Sequence, residues 1–337
     1  MREGQGTMTY KNGDVYVGEW AANKRSGDGA MTYKVEKRQE PFVAYNRYIG
    51  GWKDDKFDCT QPAAMGRLMF ESQQCYEGYF GDGLRTGDGT QHYANGNKYT
   101  GSWDKDTRSA MAGDTASGCM KYANGDVYQG NWNDKEQKDG QGTMAYANGD
   151  NYVGKWANDV RSQAAAADGD NFTRSNGDVY VGPWKDDFMA TEAASTGIMT
   201  YKCGDVYTGK WVKNMRHDPE GTSVLEIIHL SGPDKGKCDK FTGTFNNDER
   251  VDCHGVMEYA NLDKYEGQWK RNQREGQGTQ THADTNLYTG QWLRDAMHGQ
   301  GTYNFNKVTL TAPEGEGDEY IGEFRYGRRG KSGIMQY

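Results

Sequence analysis

A short stretch near the start of the chain decides the fold. It reads Gly4-Gln5-Gly6-Thr7-Met8-Thr9-Tyr10, then Lys11-Asn12-Gly13-Asp14, then Val15-Tyr16-Val17-Gly18-Glu19-Trp20. The two outer runs alternate between faces as half-buried β-strands do, and Asn12-Gly13 between them is a strong hairpin signal. We therefore predict a β-hairpin closed by a two-residue type I′ turn.

A two-residue turn also predicts which side chains share a face. It would place Thr9 opposite Tyr16, so that Tyr16, Gly18 and Trp20 lie on one face together with Thr7 and Thr9. The Gly between two aromatic residues would leave room for a neighbouring ring to lie over the backbone. The opposite face would then carry Met8, Tyr10, Val15 and Val17.

The same pattern recurs along the chain. An aromatic residue, any residue, Gly, any residue and a second aromatic residue occur in this order twelve times, at intervals of 23 to 34 residues. Such a period predicts an array of small repeated units, with insertions in loops, rather than two or three globular domains. The copies are Tyr16-Gly18-Trp20, Tyr48-Gly50-Trp52, Tyr76-Gly78-Phe80, Tyr99-Gly101-Trp103, Tyr128-Gly130-Trp132, Tyr152-Gly154-Trp156, Tyr180-Gly182-Trp184, Tyr207-Gly209-Trp211, Phe241-Gly243-Phe245, Tyr265-Gly267-Trp269, Tyr288-Gly290-Trp292 and Tyr320-Gly322-Phe324.

The composition fits a repeat array and argues against a conventional aliphatic core. Leu, Ile, Val and Phe together number 39 of 337 residues, a share typical of disordered chains. The chain nevertheless contains 9 Trp, 23 Tyr and 10 Phe, which disordered chains lack, and 47 Gly. We infer that Tyr and Trp replace aliphatic residues in the core.

Charge and cysteine content limit the class of protein. A formal net charge of −8 disfavours a general nucleic-acid or anionic-membrane binder. The six cysteines are scattered without a Cys-x-x-Cys pair, which favours reduced thiols in a cytoplasmic chain. The sequence has no apolar run of membrane-spanning length and none at its N-terminus, so we expect neither a transmembrane span nor a signal peptide.

The repeat resembles that of the MORN family (membrane occupation and recognition nexus). The family unit reads Tyr-x-Gly-x-Trp followed by Gly-x-Gly-x-x-x-Tyr, and the second half is matched by Gly27-Asp28-Gly29 with Tyr33 and by Gly140-Gln141-Gly142 with Tyr146. The resemblance implies an all-β chain. Its hairpins, twelve by the repeat count, would stack into an elongated single-layer antiparallel sheet, an open solenoid-like array.

We expect one continuous array over residues 1–337, with local departures. Regular repeats occupy residues 1–216 and 251–324, and a half-repeat occupies residues 325–337. Between the regular parts, residues 217–250 form an enlarged unit with a lengthened strand pair. That unit is rich in Leu and Ile, which favours additional core over a local partner site.

No motif for catalysis or for a cofactor is recognised. The Gly-x-Gly segments begin strands and none opens a helix in a βαβ unit, as a phosphate-binding loop would. The six histidines show no metal-ligand spacing. The acidic pairs Asp54-Asp55 and Asp186-Asp187 follow the repeat Trp and are better explained as solvated turns than as catalytic carboxylates. We expect no enzyme activity, cofactor, metal or small-molecule substrate.

The aromatic stripe is the predicted partner-binding surface. Most of each ring is expected to pack on its neighbours, but a single-layer sheet cannot bury both of its faces fully. Part of the stripe should stay open, and Tyr and Trp are common interface anchors. Partner binding is therefore assigned to Tyr16, Trp20, Tyr48, Trp52, Tyr99, Trp103, Tyr128, Trp132, Tyr152 and Trp156.

Two further contacts are expected near the C-terminus. Arg325, Arg328, Arg329 and Lys331 form a basic cluster, which is either a solvated surface or a site for an anionic phospholipid or an acidic partner. The half-repeat 325–337 would leave an open strand edge, so self-association by strand pairing is the second expectation.

Together these features predict a non-enzymatic scaffold that binds protein partners. The MORN resemblance suggests a cytoskeletal, ciliary (radial-spoke-like) or membrane–cytoskeleton assembly. One alternative is a phospholipid-contacting module at a membrane. The other is the regulatory repeat region of a phosphatidylinositol phosphate kinase-like enzyme, whose catalytic domain this sequence does not contain.

Overall fold

The regular structure of the chain is made of β-strands. The chain folds as two compact units, Met1–Arg161 and Ser162–Tyr337. All regular elements in the described part of the chain are strands, as predicted. The computed structural model describes residues 1–34, 45–59, 65–108, 118–162, 171–190, 196–250, 253–305 and 317–337.

The first unit is an antiparallel sheet in which the long strands follow one another in chain order. Its strands are β1 (Gly4–Thr9), β2 (Val15–Ala21), β3 (Lys24–Thr32), β4 (Tyr45–Lys53), β5 (Lys56–Phe57), β6 (Gly66–Phe70), β7 (Cys75–Gly81), β8 (Leu84–His92), β9 (Lys98–Asp104), β10 (Thr107–Arg108), β11 (Cys119–Lys121), β12 (Val127–Trp132), β13 (Lys138–Ala145), β14 (Asn151–Ala157) and β15 (Val160–Arg161). The short strands β5, β10 and β15 fold back on the strand before them.

The second unit has the same order of long strands, but two of its short strand pairs form small separate sheets. Its strands are β16 (Asn171–Thr173), β17 (Val179–Val181), β18 (Trp184–Lys185), β19 (Phe188–Met189), β20 (Gly197–Thr200), β21 (Val206–Gly209), β22 (Trp211–Val212), β23 (Met215–Arg216), β24 (Asp218–Ile228), β25 (Cys238–Phe245), β26 (Cys253–Glu258), β27 (Lys264–Lys270), β28 (Gln273–Thr281), β29 (Leu287–Leu293), β30 (Ala296–Phe305), β31 (Asp318–Arg325) and β32 (Arg328–Gln336). The long pair β24–β25 lies in the predicted enlarged unit. Strand β32, from the half-repeat, pairs with β31, and self-association through its edge stays a prediction.

The hairpin turn differs from the predicted one by one residue. The N–H of Gly13 donates to the carbonyl of Tyr10 at 2.9 Å, and the N–H of Tyr10 donates to the carbonyl of Asp14 at 2.9 Å. Within this turn only Gly13 has a positive φ, of 88°. The turn is therefore a type I turn followed by a Gly bulge, and the predicted type I′ turn is wrong. The extra loop residue places Tyr16 opposite Met8.

This shift moves the side chains of the first strand to the faces opposite those predicted. Met8 shares the face of Tyr16, whereas Thr7 and Thr9 lie on the other face. A slip of one residue has this effect because side chains alternate along a strand. Met31, the counterpart of Met8 in the next repeat, is 4% exposed, so the methionine row belongs to the core.

The type I′ turns occur between repeats instead. Asp54 and Asp55 have φ values of 49° and 70°, and Asp186 and Asp187 have 51° and 66°. Two successive residues with positive φ are the mark of this turn, and Asn and Asp tolerate that conformation. The acidic pairs therefore have the structural role that the sequence predicted for them.

The core of each unit lies on one face of its sheet. Tyr16, Gly18 and Trp20 are buried, whereas Val17 between them is 51% exposed. The ring of Tyr16 lies across two glycines: a Cβ at Gly18 would stand 2.5 Å from the Tyr16 hydroxyl, and one at Gly29 would stand closer still. Gly is required at both positions because any larger residue would displace the ring.

Candidate functional site

Aromatic rings form a continuous ladder in each unit, which we call the aromatic ladder. Tyr16 contacts Trp20 of its own repeat at a centroid distance of 5.2 Å and Trp52 of the next repeat at 5.3 Å, both edge to face. The same alternation continues through the first unit and, separately, through the second. Edge-to-face pairs are a favoured aromatic geometry, so the ladder joins each repeat to the next.

The rings predicted to bind a partner lie in this ladder. Their exposed fractions range from 0% to 9%, so the structure places them in the core and not on an open surface. The reason is that rings of the same and neighbouring repeats pack against each ring, and a basic side chain lies over all of them except Tyr48, on which Phe57 stacks at 3.9 Å. The residues concerned are Tyr16, Trp20, Tyr48, Trp52, Tyr99, Trp103, Tyr128, Trp132, Tyr152 and Trp156.

The tyrosine hydroxyls of the ladder bond to the backbone of their own repeat. The hydroxyl of Tyr16 donates to the carbonyl of Glu19 at 2.9 Å, and that of Tyr288 donates to the carbonyl of Gln291 at 2.8 Å. Burial raises the pKa of both hydroxyls to about 12. They therefore remain protonated donors at neutral pH, and their role is structural.

Arginine side chains cover the Trp rings. The Arg25 guanidinium carbon lies 4.2 Å from the Trp52 ring centroid, and Arg85 lies 4.0 Å from that of Trp103. The Nε of Arg25 also donates to Oδ1 of Asp55 at 2.9 Å, and its Nη2 donates to the Asp55 carbonyl at 2.9 Å. Cation–π attraction and an ion pair thus fasten one repeat to the turn of the next.

This contact has a signal in the sequence, although the sequence-based prediction did not include it. An Arg follows the second aromatic residue of the repeat by five positions in eight of the twelve copies. Sequence reasoning usually assigns such charges to solvent. The residues are Arg25, Arg85, Arg108, Arg161, Arg216, Arg250, Arg274 and Arg329.

The Asp of the Asn-Gly-Asp turn forms a second link between repeats. Oδ1 of Asp14 accepts a hydrogen bond from the N–H of Lys34 at 2.8 Å, and Oδ1 of Asp126 accepts one from the N–H of Ala147 at 2.8 Å. Each bond reaches from one hairpin to the backbone of the next. Carboxylates such as Asp55 and Asp14 therefore link each repeat to the next at both ends of its strands. Their sequence motifs alone would assign them only to turns.

The face opposite the ladder, which we call the open face, remains accessible. Val17, Ile49, Ile198 and Ile321 lie on it and are 40% to 51% exposed. Each belongs to a row of mainly β-branched and polar residues that pair across neighbouring strands. Exposed apolar side chains in regular rows distinguish this face from an ordinary solvated surface.

Each unit has a groove on its open face. In the first unit a groove of about 440 Å³ runs over Thr90 and Thr100, whose Oγ1 atoms are 3.2 Å apart. In the second unit a groove of about 610 Å³ runs over Thr279 and Thr289, whose Oγ1 atoms are 3.3 Å apart. The two grooves therefore have the same floor, a pair of threonines on adjacent strands.

The basic residues predicted as an anion site do not form a single patch. The Nε of Arg325 donates to Oε1 of Glu323 at 2.8 Å, and Arg325 pairs with Arg328 across the turn. Arg329, the next residue, lies over two aromatic rings at 5.6 and 5.7 Å. Lys331 is exposed. Successive residues on a strand point to opposite faces, which separates Arg328 from Arg329.

The enlarged unit contains a buried carboxylate. Asp218 is 0% exposed, and its Oδ2 accepts hydrogen bonds from Oγ of Ser223 at 2.7 Å and from the N–H of Thr222 at 2.9 Å. Burial alone would raise the pKa of Asp218, but these bonds and one from the N–H of Glu220 outweigh it and lower the pKa. The hydroxyl of Tyr207 donates to Ser223 at 3.0 Å. Ser223 of this network lies opposite Gly243, at a position where regular repeats have a glycine, as Gly29 opposite Gly18.

Within the described residues no three His, Cys, Asp or Glu side chains come together in a way that could hold a metal ion. The same residues contain no helix with the length and hydropathy to cross a membrane.

Comparison with known families decides how the repeat is classified. The family model described as MORN repeat matches residues 1–15, 16–35, 76–98, 128–151, 207–217, 265–286 and 288–307. The chain therefore carries MORN repeats at seven places along its length. The resemblance seen in the sequence is thereby confirmed, and so is the all-β fold of antiparallel hairpins that it implied.

The other comparisons give low similarity. No curated protein matches this chain. The TCP domain of SAS-4 from Drosophila melanogaster, solved with a proline-rich motif of Ana2, is 10% identical over 60% of this chain and 87% of that chain, with a TM-score of 0.28. The TCP10 domain of CPAP from Danio rerio, solved with a STIL peptide, is 10% identical over 79% of this chain and 92% of that chain, with a TM-score of 0.29. These values are too low to transfer a fold or a ligand.

Proposed function

We propose that this protein, with its MORN repeats, is a non-enzymatic scaffold that binds protein partners through its open face. The aromatic residues, most of the arginines that follow them and the turn carboxylates are engaged in holding the repeats together. The observation that carries the proposal is the open face itself, with exposed Val17, Ile49, Ile198 and Ile321 and a groove in each unit.

The chemistry of the grooves suits an extended polypeptide. The second-unit groove is lined by His254, Glu266, Gln268, Thr279 and Thr289, which offer hydrogen-bond donors and acceptors along its length. Its floor is a β-sheet surface and its sides are open. An extended chain can place alternate side chains into such a groove while its backbone bonds to the polar rim.

The kind of assembly that we propose for this scaffold is supported by the MORN resemblance alone. We propose a cytoskeletal, ciliary or membrane–cytoskeleton assembly in the cytoplasm. Affinity purification of the full chain followed by mass spectrometry would identify the partners. The alternative of a lipid-kinase regulatory region requires a kinase domain in the same gene product, which sequencing of the flanking exons would show.

A charge placed in the groove tests the proposed surface. Thr279→Arg should weaken capture of the principal partner about tenfold or more, because a long charged side chain would fill the groove. Thr208→Arg is the matched control, since Thr208 lies in the same row of the open face but outside the groove. Equal capture by the wild type, Thr279→Arg and Thr208→Arg would contradict the assignment of the groove.

A further inference from the structure

Three tyrosines form an aligned row on the ladder side of the first unit, which we call the tyrosine row. They are Tyr93, Tyr122 and Tyr146, each directly after the first strand of a hairpin. The preceding residues His92, Lys121 and Ala145 are brought into register through the intervening strands β9 and β12. All three rings are half-buried, in contrast to the fully buried ladder. The row therefore presents one accessible aromatic edge per hairpin.

The spacing of the row is fixed by the sheet. Strands β8, β11 and β13, which precede the three tyrosines, are separated by one strand each, so successive rings are two strand spacings apart. With about 4.8 Å between strands this is about 9.6 Å. A polyproline II helix rises about 3.1 Å per residue with three residues per turn, or about 9.3 Å per turn. A polypeptide in this conformation, lying across the strands, would present the same side of every third residue to successive rings.

A cavity lies between the first two rings of the row. Its volume is about 290 Å³, and Tyr93, Tyr122, Met120, Trp132 and Arg108 contribute to its lining. Apolar and aromatic walls of this kind accept a proline ring, as aromatic-lined grooves do in other proline-recognising proteins.

The cavity also contains unused hydrogen-bond donors. Arg108 is 9% exposed, and its Nη2 donates to the carbonyl of Glu136 at 2.9 Å and to Oε2 of Glu136 at 3.0 Å. Its Nε has no acceptor within the described residues, unlike the Nε of Arg85, which donates to Asp106. The difference arises because a longer turn replaces the usual two-residue turn after Trp132.

The tyrosine hydroxyls add to this donor set. Neither Tyr93 nor Tyr122 has a hydrogen-bond partner for its hydroxyl in the part of the chain that the structure covers. Burial raises the pKa of Tyr122 to about 12, so the hydroxyl stays protonated. A polyproline II backbone has no internal hydrogen bonds and offers its carbonyls outward, where such donors could bind them.

We propose that the tyrosine row is a docking site for a proline-rich segment of a partner protein, bound in the polyproline II conformation with a proline at every third position. Two carboxylates also lie in the lining: Glu136 is paired with Arg108, and Asp159 accepts the N–H of Lys138 at 3.0 Å. This site lies on the ladder side, whereas the grooves lie on the open face, so either proposal can fail alone.

Fluorescence anisotropy with the full chain tests the proposal. The probe is a labelled synthetic peptide with proline at every third position, and two arginines at one end keep it soluble. The comparison peptide has the same composition with the prolines grouped together. We expect the spaced peptide to bind and the grouped peptide to bind about tenfold more weakly, since it cannot reach successive rings.

Two substitutions locate the site. Tyr122→Ala should weaken binding of the spaced peptide about tenfold or more, and Tyr93→Ala should do the same. Tyr201→Ala is the matched control, because Tyr201 has the same place in its hairpin but has no tyrosine beside it in the row. Thermal melting of each variant checks that the array is intact.

Three results with these peptides and tyrosine variants would overturn the proposal. They are no binding of the spaced peptide at millimolar concentration, equal binding of both peptides, and an equal loss in Tyr201→Ala and Tyr122→Ala. Thr279→Arg, in the open-face groove, should leave binding of the peptide unchanged. A loss of peptide binding in Thr279→Arg would indicate that the peptide binds on the open face, and would refute the tyrosine row as its site.

Discussion

Replacing Trp103 by Ala measures how much one rung of the aromatic ladder contributes to stability. Trp103 is 3% exposed, its ring lies 5.3 Å from those of Tyr76 and Tyr99, and Arg85 covers it at 4.0 Å. Burying a Trp removes roughly 150–250 Å² from water, which at about 25 cal/mol/Å² gives about 4–6 kcal/mol as an upper bound. Trp→Ala changes in protein cores cost about 3–5 kcal/mol. We expect the free energy of unfolding to fall by that amount.

The loss should be local, because each repeat contacts mainly its neighbours. Hydrogen exchange read by mass spectrometry should become faster in β8, β9 and β11, while β28 and β29 keep the wild-type rates. Urea unfolding gives the overall loss. Trp103→Phe is the control, because Phe80, Phe245 and Phe324 already occupy this position in other repeats. The smaller ring should retain more than half of the free energy of unfolding that is lost in Trp103→Ala.

Two results would refute this reasoning. An unchanged unfolding curve and unchanged exchange in Trp103→Ala would show that the ring is not part of the core. A loss in Trp103→Phe as large as that in Trp103→Ala would show that indole-specific contacts, and not ring burial, hold the repeats together.

Three further predictions concern the glycines, the buried carboxylate and the membrane. Gly290→Ala would place a Cβ 2.5 Å from the Cα of Gly301 and should cost about 3 kcal/mol of stability in urea unfolding, whereas Gly6→Ala, with its nearest atom at 3.4 Å, should cost clearly less. Because the folded-state pKa of Asp218 is lowered, this carboxylate stabilises the fold above its unfolded pKa of about 3.9, and that stability is lost as the pH falls through the folded value. The melting temperature of Asp218→Asn should therefore be lower than that of the wild type at pH 7 and should fall less on acidification. Melting temperatures of the two proteins that fall in parallel with pH would contradict this. Co-sedimentation of the protein with phosphoinositide-containing liposomes should be weak and abolished by salt, because Arg325 is ion-paired and Arg328 and Arg329 lie on opposite faces of the strand. Binding that resists salt would support the phospholipid alternative instead.

Much of the fold could be predicted from local sequence. The spacing of Tyr16, Gly18 and Trp20, repeated twelve times, determined a strand with one buried face, and Asn12-Gly13 determined that a hairpin closes there. These predictions succeeded because alternation along a strand and the conformational demands of a tight turn act within a few residues.

The register of the hairpin could not be predicted from local sequence. Asn-Gly fits a type I′ turn and also a type I turn with a bulge, and the two differ by one residue of pairing. The structure has the type I turn with a bulge, in which the N–H of Tyr10 donates to the carbonyl of Asp14. Met8 then lies opposite Tyr16, on the face of the aromatic ladder. The dipeptide alone therefore does not determine the register.

The candidate sites depended even more on the tertiary structure. The sequence by itself determined that Tyr and Trp replace an aliphatic core, since the chain has few other apolar residues to bury. It could not determine whether a ring such as Trp52 is covered, because the side chains that cover it, Tyr16 and Arg25, come from the preceding repeat. The open face, its threonine-floored grooves and the aligned tyrosine row likewise exist only once the hairpins are stacked. Burial is a property of neighbours in space, and in this chain the neighbours of each repeat are other copies of the same sequence.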